Sequence, residues 1–315
     1  MHAQYDLARR ALEEHLAADG HWSGVSAYMS RISQGENVVS DEYIELVRQH
    51  FDAGDLVQAD YYAQRASAYN RPEVSKLRDI RTCREEASRL AEAGNLAACY
   101  DDVVAKFEAL WAEAGEPMID AGHTEWRTMP DRIQMADIVA NVVDLVEESN
   151  PVIFELGCFA GFNLAMAAER ARALEGQWIG LEPNETAVAH GNRQFSMINI
   201  LQGSHDDMIS GGVELPAWID VCLISRVFMI LHPDSVQGIL KFLAGRAQRV
   251  VICDDIFNVG GNMAIIRMPD FILMHPFERF LSEAGFQIEK MICAEVPDRE
   301  CTGFIVAKFG GNKPG

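Results

Sequence analysis

One segment, residues 151–163, limits the possible folds of this chain more than any other. It reads Pro-Val-Ile-Phe-Glu-Leu-Gly-Cys-Phe-Ala-Gly-Phe-Asn, an apolar run that contains the acid Glu155 and continues through two glycines. The run predicts a short strand that is apolar on both faces, as in parallel sheets. Gly157 and Gly161 permit a sharp turn and the close approach of a ligand. The apolar residues that follow have a helical period, so the segment predicts a strand, a turn and a helix.

This segment resembles motif I of the class I S-adenosylmethionine-dependent methyltransferases. Their usual motif is acid-x-Gly-x-Gly-x-Gly, and Phe159 stands here in place of the middle glycine. The catechol and caffeoyl-CoA type O-methyltransferases carry Phe or Tyr at that position, followed by Gly and an aromatic residue, and Gly161 and Phe162 match this variant. One alternative is a strand-turn-helix unit without a ligand. Another is a dinucleotide site, which requires Gly-x-Gly-x-x-Gly and is disfavoured by Phe159.

The segments that follow extend the resemblance over residues 117–310. We expect strands over 152–156, 177–181, 197–201, 220–224, 249–253 and 303–309, and within 276–286 a helix that ends at Gly285 and is followed by a further strand. Strand-helix alternation followed by a terminal hairpin predicts an α/β fold. The expected architecture is a Rossmann-like, mostly parallel seven-stranded sheet with a terminal antiparallel hairpin.

The resemblance implies S-adenosylmethionine as the methyl donor and S-adenosylhomocysteine as the product. Glu182 ends the second strand, where an acid accepts hydrogen bonds from two ribose hydroxyls, although a solvated loop acid is the other interpretation. Ser204 and His205 follow the third strand, near the place where the family binds adenine. The residues expected at the cofactor are Glu155, Gly157, Cys158, Phe159, Gly161, Asn163, Glu182, Pro183, Ser204, His205 and Ser225.

Methyl transfer to an oxygen of high pKa also requires a base or a metal ion to remove the proton. The candidate catalytic bases are His232 after the fourth strand, His123 before the first, and Asp254 at the end of the fifth. Each has a structural interpretation as well, in packing or capping. In the catechol-type branch an acid after strand four helps to bind a divalent cation. Ser225 stands at that place, so we expect no metal. The acceptor pocket is expected from residues 119–135, 226–234 and 256–275.

Residues 1–115 predict an all-α domain ahead of a methyltransferase domain over 116–315. Three similar segments, 17–22, 52–56 and 92–96, place glycines 34 and 40 residues apart. A period near 34 residues resembles the tetratricopeptide repeat, and an irregular helical bundle is the alternative. The domain is interpreted as a docking surface for a protein partner or as a cover over the site.

Charge and cysteine content restrict the partners and the location. The net charge of −20 disfavours nucleic acids and anionic membranes as partners. The seven cysteines are odd in number and contain no Cys-x-x-Cys, which indicates buried thiols in a reducing compartment. The first residues have no signal-peptide pattern, so a cytoplasmic location is expected.

Three functions therefore remain open. The favoured one is a methyltransferase that methylates an oxygen atom of a small molecule. The second is a methyltransferase whose acceptor is a protein recruited by the helical domain. The third is a scaffold that keeps the fold without catalysis, and the presence of Gly157, Gly161 and Glu182 favours ligand binding over this third function.

Overall fold

The computed structural model of the protein describes residues 83, 86–112, 115–172, 176–256, 258–267, 272–293 and 302–311. The chain divides into two units, Met1–Thr82 with Met291–Cys293 and Cys83–Lys290 with Ala294–Gly315. The elements named below belong to the second unit, except for the last three residues of strand β8. Within the described residues, no helix combines the length and apolar content that a membrane span requires.

A seven-stranded sheet forms the centre of the described part. Its strands are β1 (Val152–Leu156), β2 (Gln177–Glu182), β3 (Ile198–Gln202), β4 (Ile219–Ser225), β5 (Ala247–Asp255), β8 (Phe286–Cys293) and β9 (Thr302–Phe309). Their order in the sheet is β3-β2-β1-β4-β5-β9-β8. Strands β1 to β5 pair in parallel and β9 pairs antiparallel to β5. The expected α/β fold with a mostly parallel sheet is confirmed.

Helices connect the strands and precede the sheet. They are α1 (Leu96–Ala112), α2 (Glu116–Thr124), α3 (Pro130–Val143), α4 (Phe162–Ala168), α5 (Glu185–Gln194), α6 (His205–Ser210), α7 (Pro233–Leu243) and α8 (Phe277–Glu283), with short 3-10 helices at Trp126–Thr128 and Phe228–Ile230. A separate antiparallel pair, β6 (Ile265–Arg267) and β7 (Ile272–Met274), lies where no strand was predicted. Each of its strands has only three residues, too few for a periodic pattern.

Strand β5 shows how tertiary pairing sets the length of an element. The apolar run predicts an end at residue 253, before two acids. In the structure β5 continues through Asp254 and Asp255, because these residues pair with Gly303 and Thr302 of β9. Backbone hydrogen bonds to a distant strand thus extend β5 beyond the residues of high strand propensity. Both carboxyls become buried as a result.

Helix α1 packs against the α/β part of the chain. Tyr100 and Val103 form a buried cluster with Ala264 and Leu273. The Tyr100 hydroxyl donates a hydrogen bond of 2.5 Å to the carbonyl oxygen of Ala264, and burial raises the pKa of Tyr100 to about 12. The end of the predicted helical domain therefore contacts the predicted methyltransferase domain, while the boundary at residue 115 stays a prediction.

The repeat interpretation of the amino-terminal region also stays a prediction. Segments 17–22 and 52–56 lie outside the described residues. Within segment 92–96, Gly94 has φ +73° and lies in the turn that precedes α1. A glycine in a turn between helical stretches agrees with the pattern at this one place.

Two helical glycines provide a matched test of how tightly α5 packs against the turn that follows β1. A Cβ added at Gly191 in α5 would lie 2.7 Å from the carbonyl oxygen of Ala160, a backbone atom that cannot move aside easily. A Cβ added at Gly238 in α7 would have its nearest neighbouring atom at 3.8 Å. We expect Gly191→Ala to lower the free energy of unfolding by about 1–3 kcal/mol through overpacking. Gly238→Ala is expected to raise it by up to about 1 kcal/mol through helix propensity. Urea denaturation of both variants measures the difference, and equal effects would contradict the close approach at Gly191.

Candidate active site

The turn after β1 is held by the end of β2. The backbone amides of Gly157 and Cys158 donate hydrogen bonds of 2.8 and 3.2 Å to the carbonyl oxygen of Leu181. Gly157 and Gly161 have φ values of +67° and +78°, as the sequence predicts for a sharp turn. Phe159 also has a positive φ, +49°, which is strained for a residue with a side chain. Neighbouring contacts must therefore stabilise this conformation.

Glu182 supplies one of those contacts. Its Oε2 accepts a 2.9 Å hydrogen bond from the Phe159 amide, and its Oε1 accepts one of 2.9 Å from the amide of Asn184. The Glu182 side chain is buried, and burial raises its pKa while the two amide hydrogen bonds oppose that rise. The carboxyl group thus connects the β1 turn to the start of α5, where Asn184 is the N-cap.

A second polar network joins three of the expected residues through an arginine that was not expected. Nη1 of Arg132, in α3, donates hydrogen bonds of 3.0 Å to Oδ1 of Asn163 and 3.0 Å to Oγ of Ser225. Asn163 in turn donates a 2.7 Å hydrogen bond to Oε1 of Glu155. Residues from α3, α4, β4 and β1 therefore meet at the carboxyl ends of the two central strands.

This network leaves two buried polar atoms without a hydrogen-bond partner among the described residues, Oε2 of Glu155 and Nε of Arg132. Glu155 is fully buried, and burial raises its pKa to about 8, although Asn163 and Arg132 oppose the rise. Burial of an unsatisfied polar atom costs about 1–3 kcal/mol. Such atoms indicate either strain or a place that receives a polar ligand.

The Phe159 ring packs into an aromatic cluster. Its centroid lies 5.7 Å from that of Trp111 in α1 and 5.8 Å from that of Trp126 in the first 3-10 helix. The Arg132 guanidinium lies 5.8 Å from the Trp126 ring centroid. Aromatic contacts of this kind stabilise by about 0.5–1.5 kcal/mol each beyond their area burial. The cluster therefore holds the Phe159 ring beside the turn and connects the turn to α1.

Ser204 and His205, which were expected near adenine, and Pro183, which was expected at the cofactor beside Glu182, lie apart from the networks described above. Ser204 is the N-cap of α6 and forms a capping box with Asp207. The Ser204 amide donates a hydrogen bond to the Asp207 carboxylate, and the Ser204 hydroxyl oxygen accepts one from the Asp207 amide. His205 begins α6, and its Nε2 lies 3.5 Å from Oδ1 of the exposed Asp206. Pro183 is exposed. The structure therefore does not bring these three residues into the Glu182 or Arg132 networks.

Cys158 is a packing residue of the turn in this structure. Its thiol is buried against Gly180 of β2, where an added Cβ would collide with Sγ. Burial raises the pKa of this thiol well above its usual range. The thiolate needed for a nucleophile is thus strongly disfavoured.

Two of the candidate bases lie near the end of β4. Asp254 lies at the end of the neighbouring strand β5, and His232 lies in the segment that follows β4. Asp254 is fully buried, and its two oxygens accept the amide hydrogen bonds of Met229 and Asp255 at 3.0 and 2.7 Å. Burial raises the pKa of Asp254 to about 7. His232 is the N-cap of α7, and its Nδ1 accepts the amide of Asp234 at 3.2 Å. His123 belongs to α2, and its side chain lies outside the described part.

The loop after β4 is held by further residues that sequence reasoning missed. Arg226 has φ +58°, forms an ion pair of 2.8 Å with the buried Asp131 and donates to Oγ1 of Thr302 at 3.2 Å. The buried His275 lies 2.7 Å, Nε2 to oxygen, from the Phe228 carbonyl, and burial lowers its pKa to about 4. Among the described residues, no group of three or more His, Cys, Asp or Glu is arranged to hold a metal ion.

A signal for Arg132 and Asp131 is present in the sequence. Both are charged residues on the face of α3 that also carries the buried Met135, Ala136 and Val139. A charged side chain on a buried helix face requires a partner, which is a recognisable sign of a functional or structural ion pair. The partners themselves lie in α4, in β4 and in the loop after β4, are 31 to 95 residues away and have no sequence signature.

Comparison with known proteins finds similarity only among solved structures. No protein-family model matches the sequence, and no curated protein matches it. The mitomycin 7-O-methyltransferase MmcR is 15% identical over 56% of this chain and 54% of its own, with a TM-score of 0.41. Magnesium protoporphyrin IX methyltransferase (ChlM) from Synechocystis PCC 6803 with bound SAM is 13% identical over 57% of this chain and 80% of its own, with a TM-score of 0.43.

Human N-acetylserotonin methyltransferase in complex with SAM is 12% identical, covering 57% of this chain and 56% of its own, with a TM-score of 0.41. The chain thus spans about half the length of two of these three proteins.

The raised pKa of Glu155 has a measurable consequence for stability in the absence of ligand. Its pKa in the folded state is about 8, compared with the usual value of 4.5. At a pH between these two values, Glu155 keeps its proton in the native state and has lost it in the unfolded state. The Glu155 contribution to the free energy of unfolding is therefore largest below the lower value and declines as the pH rises towards the upper one. Glu155→Gln should remove this decline.

Urea denaturation of the wild type and Glu155→Gln between about pH 5 and about pH 8 tests this expectation. The wild type should lose stability relative to the variant as the pH rises. Glu185→Gln, the same chemical change at an exposed position in α5, is the control and should show a difference from the wild type that is independent of pH. A pH-independent difference for Glu155→Gln as well would contradict a protonated Glu155.

Proposed function

We propose that the protein is an S-adenosylmethionine-dependent methyltransferase that methylates an oxygen atom of a small molecule. The observation that carries the proposal is the buried Glu182 carboxyl at the carboxyl end of β2, hydrogen-bonded to the turn that follows β1. In open α/β sheets, ligands bind beyond the carboxyl ends of the strands where the strand order reverses. That place lies here between β1 and β4.

The residues present fit S-adenosylmethionine better than a dinucleotide. The ring at position 159 and its cluster occupy the place where a dinucleotide site needs a glycine for the pyrophosphate. Each Glu182 oxygen accepts one amide hydrogen bond and retains capacity for ribose hydroxyls. The unpartnered buried atoms of Glu155 and Arg132 support a polar ligand at the same strand ends.

S-adenosylmethionine brings a methyl group that is already activated on a sulfonium. The remaining task of the chain is to orient the acceptor and to remove its proton. Glu182 is proposed to hold the ribose, and Glu155, Asn163 and Ser225 to surround the rest of the cofactor. Gly157, Cys158, Phe159 and Gly161 shape the turn beneath it. Pro183 follows the ribose-binding acid, and Ser204 and His205 keep their proposed places on the adenine side.

Asp254 is the favoured candidate for the proton acceptor. With a pKa raised to about 7 it is divided between its charged and neutral forms near neutral pH, which suits proton exchange. Since Nδ1 of His232 accepts the Asp234 amide, the proton of a neutral ring lies on Nε2. His232 would therefore act as a base only after release of this cap. His123 remains a candidate from its place before β1.

The first test is binding of S-adenosylhomocysteine to the full-length protein, followed by isothermal titration calorimetry. Glu182→Gln keeps the size of the side chain and removes its charge, and loss of charged hydrogen bonds to a ribose should weaken binding about tenfold or more. Glu185→Gln, three residues further on and exposed, is the matched control and should bind like the wild type. Absence of binding to the wild type would overturn the proposal.

The second test identifies the kind of acceptor. The full-length protein is incubated with S-adenosylmethionine and a panel of phenols, sugars and carboxylic acids, and formation of S-adenosylhomocysteine is measured. We expect turnover of at least one phenol or other hydroxyl compound. Cofactor binding without turnover of any member would instead favour the scaffold or a protein acceptor recruited through residues 1–115.

A further inference from the structure

One peptide group in the loop after β4 lies between two buried side chains. Its carbonyl oxygen belongs to Phe228 and lies 2.7 Å from Nε2 of His275. Its amide belongs to Met229 and donates a hydrogen bond of 3.0 Å to Oδ2 of Asp254. The C=O and N–H bonds of a peptide group in the usual trans form point in opposite directions. His275 and Asp254 are therefore connected through the two ends of a single peptide group.

The protonation of His275 follows from its surroundings. A carbonyl oxygen only accepts hydrogen bonds, so Nε2 carries the proton and donates to the Phe228 carbonyl. The ring is fully buried beside the rings of Phe277 and Phe280, whose centroids lie 5.8 and 6.0 Å away. Burial lowers the pKa of His275 to about 4, so the imidazole is neutral near neutral pH. Its Nδ1 has no hydrogen-bond partner among the described residues.

Packing alone does not account for an imidazole at position 275. An apolar side chain would fill the space between these aromatic rings without burying an unpartnered nitrogen, which is unfavourable. The Phe228 carbonyl also accepts the Leu231 amide at 3.0 Å within the 3-10 turn, so it does not need His275 to be hydrogen-bonded. What histidine adds is a second donor at that carbonyl, directly behind the amide that faces Asp254.

We propose that His275 is a positioning residue for Asp254, acting through the peptide group between Phe228 and Met229. The proposal rests on the proposed function, in which Asp254 takes the proton of the methyl acceptor. Donation from Nε2 fixes the plane of this peptide group and polarises it, which aims the Met229 amide at Asp254 and makes it a stronger donor. A hydrogen bond to the charged form of a carboxyl group favours that form. His275 thereby keeps Asp254 available as a base.

The other groups around Asp254 act on the same proton equilibrium. Burial is the largest influence and raises the pKa of Asp254 to about 7, and the charge of Asp255 adds to the rise. Hydrogen bonds from the amides of Asp255 and Met229 lower it, as does the charge of Arg226. The titratable and charged side chains that face Asp254 or His275 are Asp255, Arg226, Cys253 and His232. A substitution at position 275 retains all of these groups and changes the donor behind the Met229 amide.

The protonation of Asp254 can be followed in the full-length protein without cofactor or acceptor. The wild type and each His275 variant are compared with the same protein carrying Asp254→Asn, and the difference in free energy of unfolding in urea is measured from about pH 4 to about pH 9. The pKa of Asp254 is raised above the ordinary 3.8, so its contribution is largest at low pH, declines as the pH rises and is constant above the folded-state value. In the wild type the decline should end near pH 7.

Three substitutions at position 275 separate the donor from the ring. His275→Leu removes the donor and suits the apolar surroundings, so the decline should extend to higher pH by about 0.5 or more on the pH scale. His275→Gln places an amide donor near the position of Nε2 and should behave like the wild type. His275→Asn carries the same amide on a shorter side chain that reaches only the position of Nδ1, and it should behave like His275→Leu. If His275→Leu does not fold, His275→Gln and His275→Asn supply the same comparison.

Tyr100→Phe is the matched control for the loss of one side-chain donor. It removes the hydroxyl that donates to another buried carbonyl oxygen, that of Ala264. The free energy of unfolding should fall, while the pH at which the Asp254 contribution becomes constant should stay that of the wild type.

The kinetic counterpart is the pH profile of kcat with an acceptor that the wild type methylates. For His275→Leu, kcat should fall about threefold or more near pH 6 and recover at high pH, while the affinity for S-adenosylhomocysteine stays unchanged. His275→Gln should restore the wild-type profile. A purely structural role of His275 would instead lower kcat by the same factor at every pH.

An Asp254 transition that is unchanged in His275→Leu, or equally shifted in His275→Leu and His275→Gln, would overturn the proposal. A transition that moves in the stability measurement without a change in the kcat profile would show that Asp254 is not the proton acceptor, and the positioning role would fall with it. If the wild type does not bind S-adenosylhomocysteine, the proposed function itself fails, while the stability measurement still decides whether His275 acts on Asp254. The two failures are therefore distinguishable.

Discussion

The Glu182 carboxyl group holds together the three chain segments from which the site is built. It ends β2, accepts the amide of Phe159 in the turn after β1, and accepts the amide of Asn184 at the start of α5. Burial of a carboxylate is costly, and hydrogen bonds from backbone amides to a charged acceptor offset that cost. They also favour the positive φ of Phe159, a conformation that an isolated chain would rarely adopt. The turn and the strand-end acid are thus one interdependent structure.

Helices that precede the sheet in the chain also contribute side chains next to the β1 turn. The Trp111 and Trp126 rings pack on Phe159, and Arg132 brings a positive charge to the ends of β1 and β4 in a strongly acidic protein. The carbonyl oxygen of Trp111 also accepts a hydrogen bond from the Asn184 side chain at 3.3 Å. Helices α1 and α3 therefore contribute to the geometry of the β1 turn as well as to the core.

The sequence predicted the parts of the site that depend on local patterns. The bounds of β1 were predicted correctly, the strand-end position of Glu182 was correct, and Gly157 and Gly161 adopt the positive φ that their turn requires. The sequence did not predict the hydrogen bonds of Arg132 to Asn163 and Ser225, or the hydrogen bond between His275 and the Phe228 carbonyl. These partners are far apart in the chain, and no periodicity or propensity records which distant side chains will meet.

By itself, the sequence determined the α/β class, the succession of strands and the turn chemistry, because hydrophobic period and glycine conformation act within a few neighbouring residues. Only the tertiary structure decided which charges are buried and which atoms they face. It placed Glu155 beside Asn163, extended β5 to Asp255 against β9, and engaged Ser204 in a helix cap. Desolvation and hydrogen-bond partners depend on the full three-dimensional surroundings, and they set the chemistry of each of these groups.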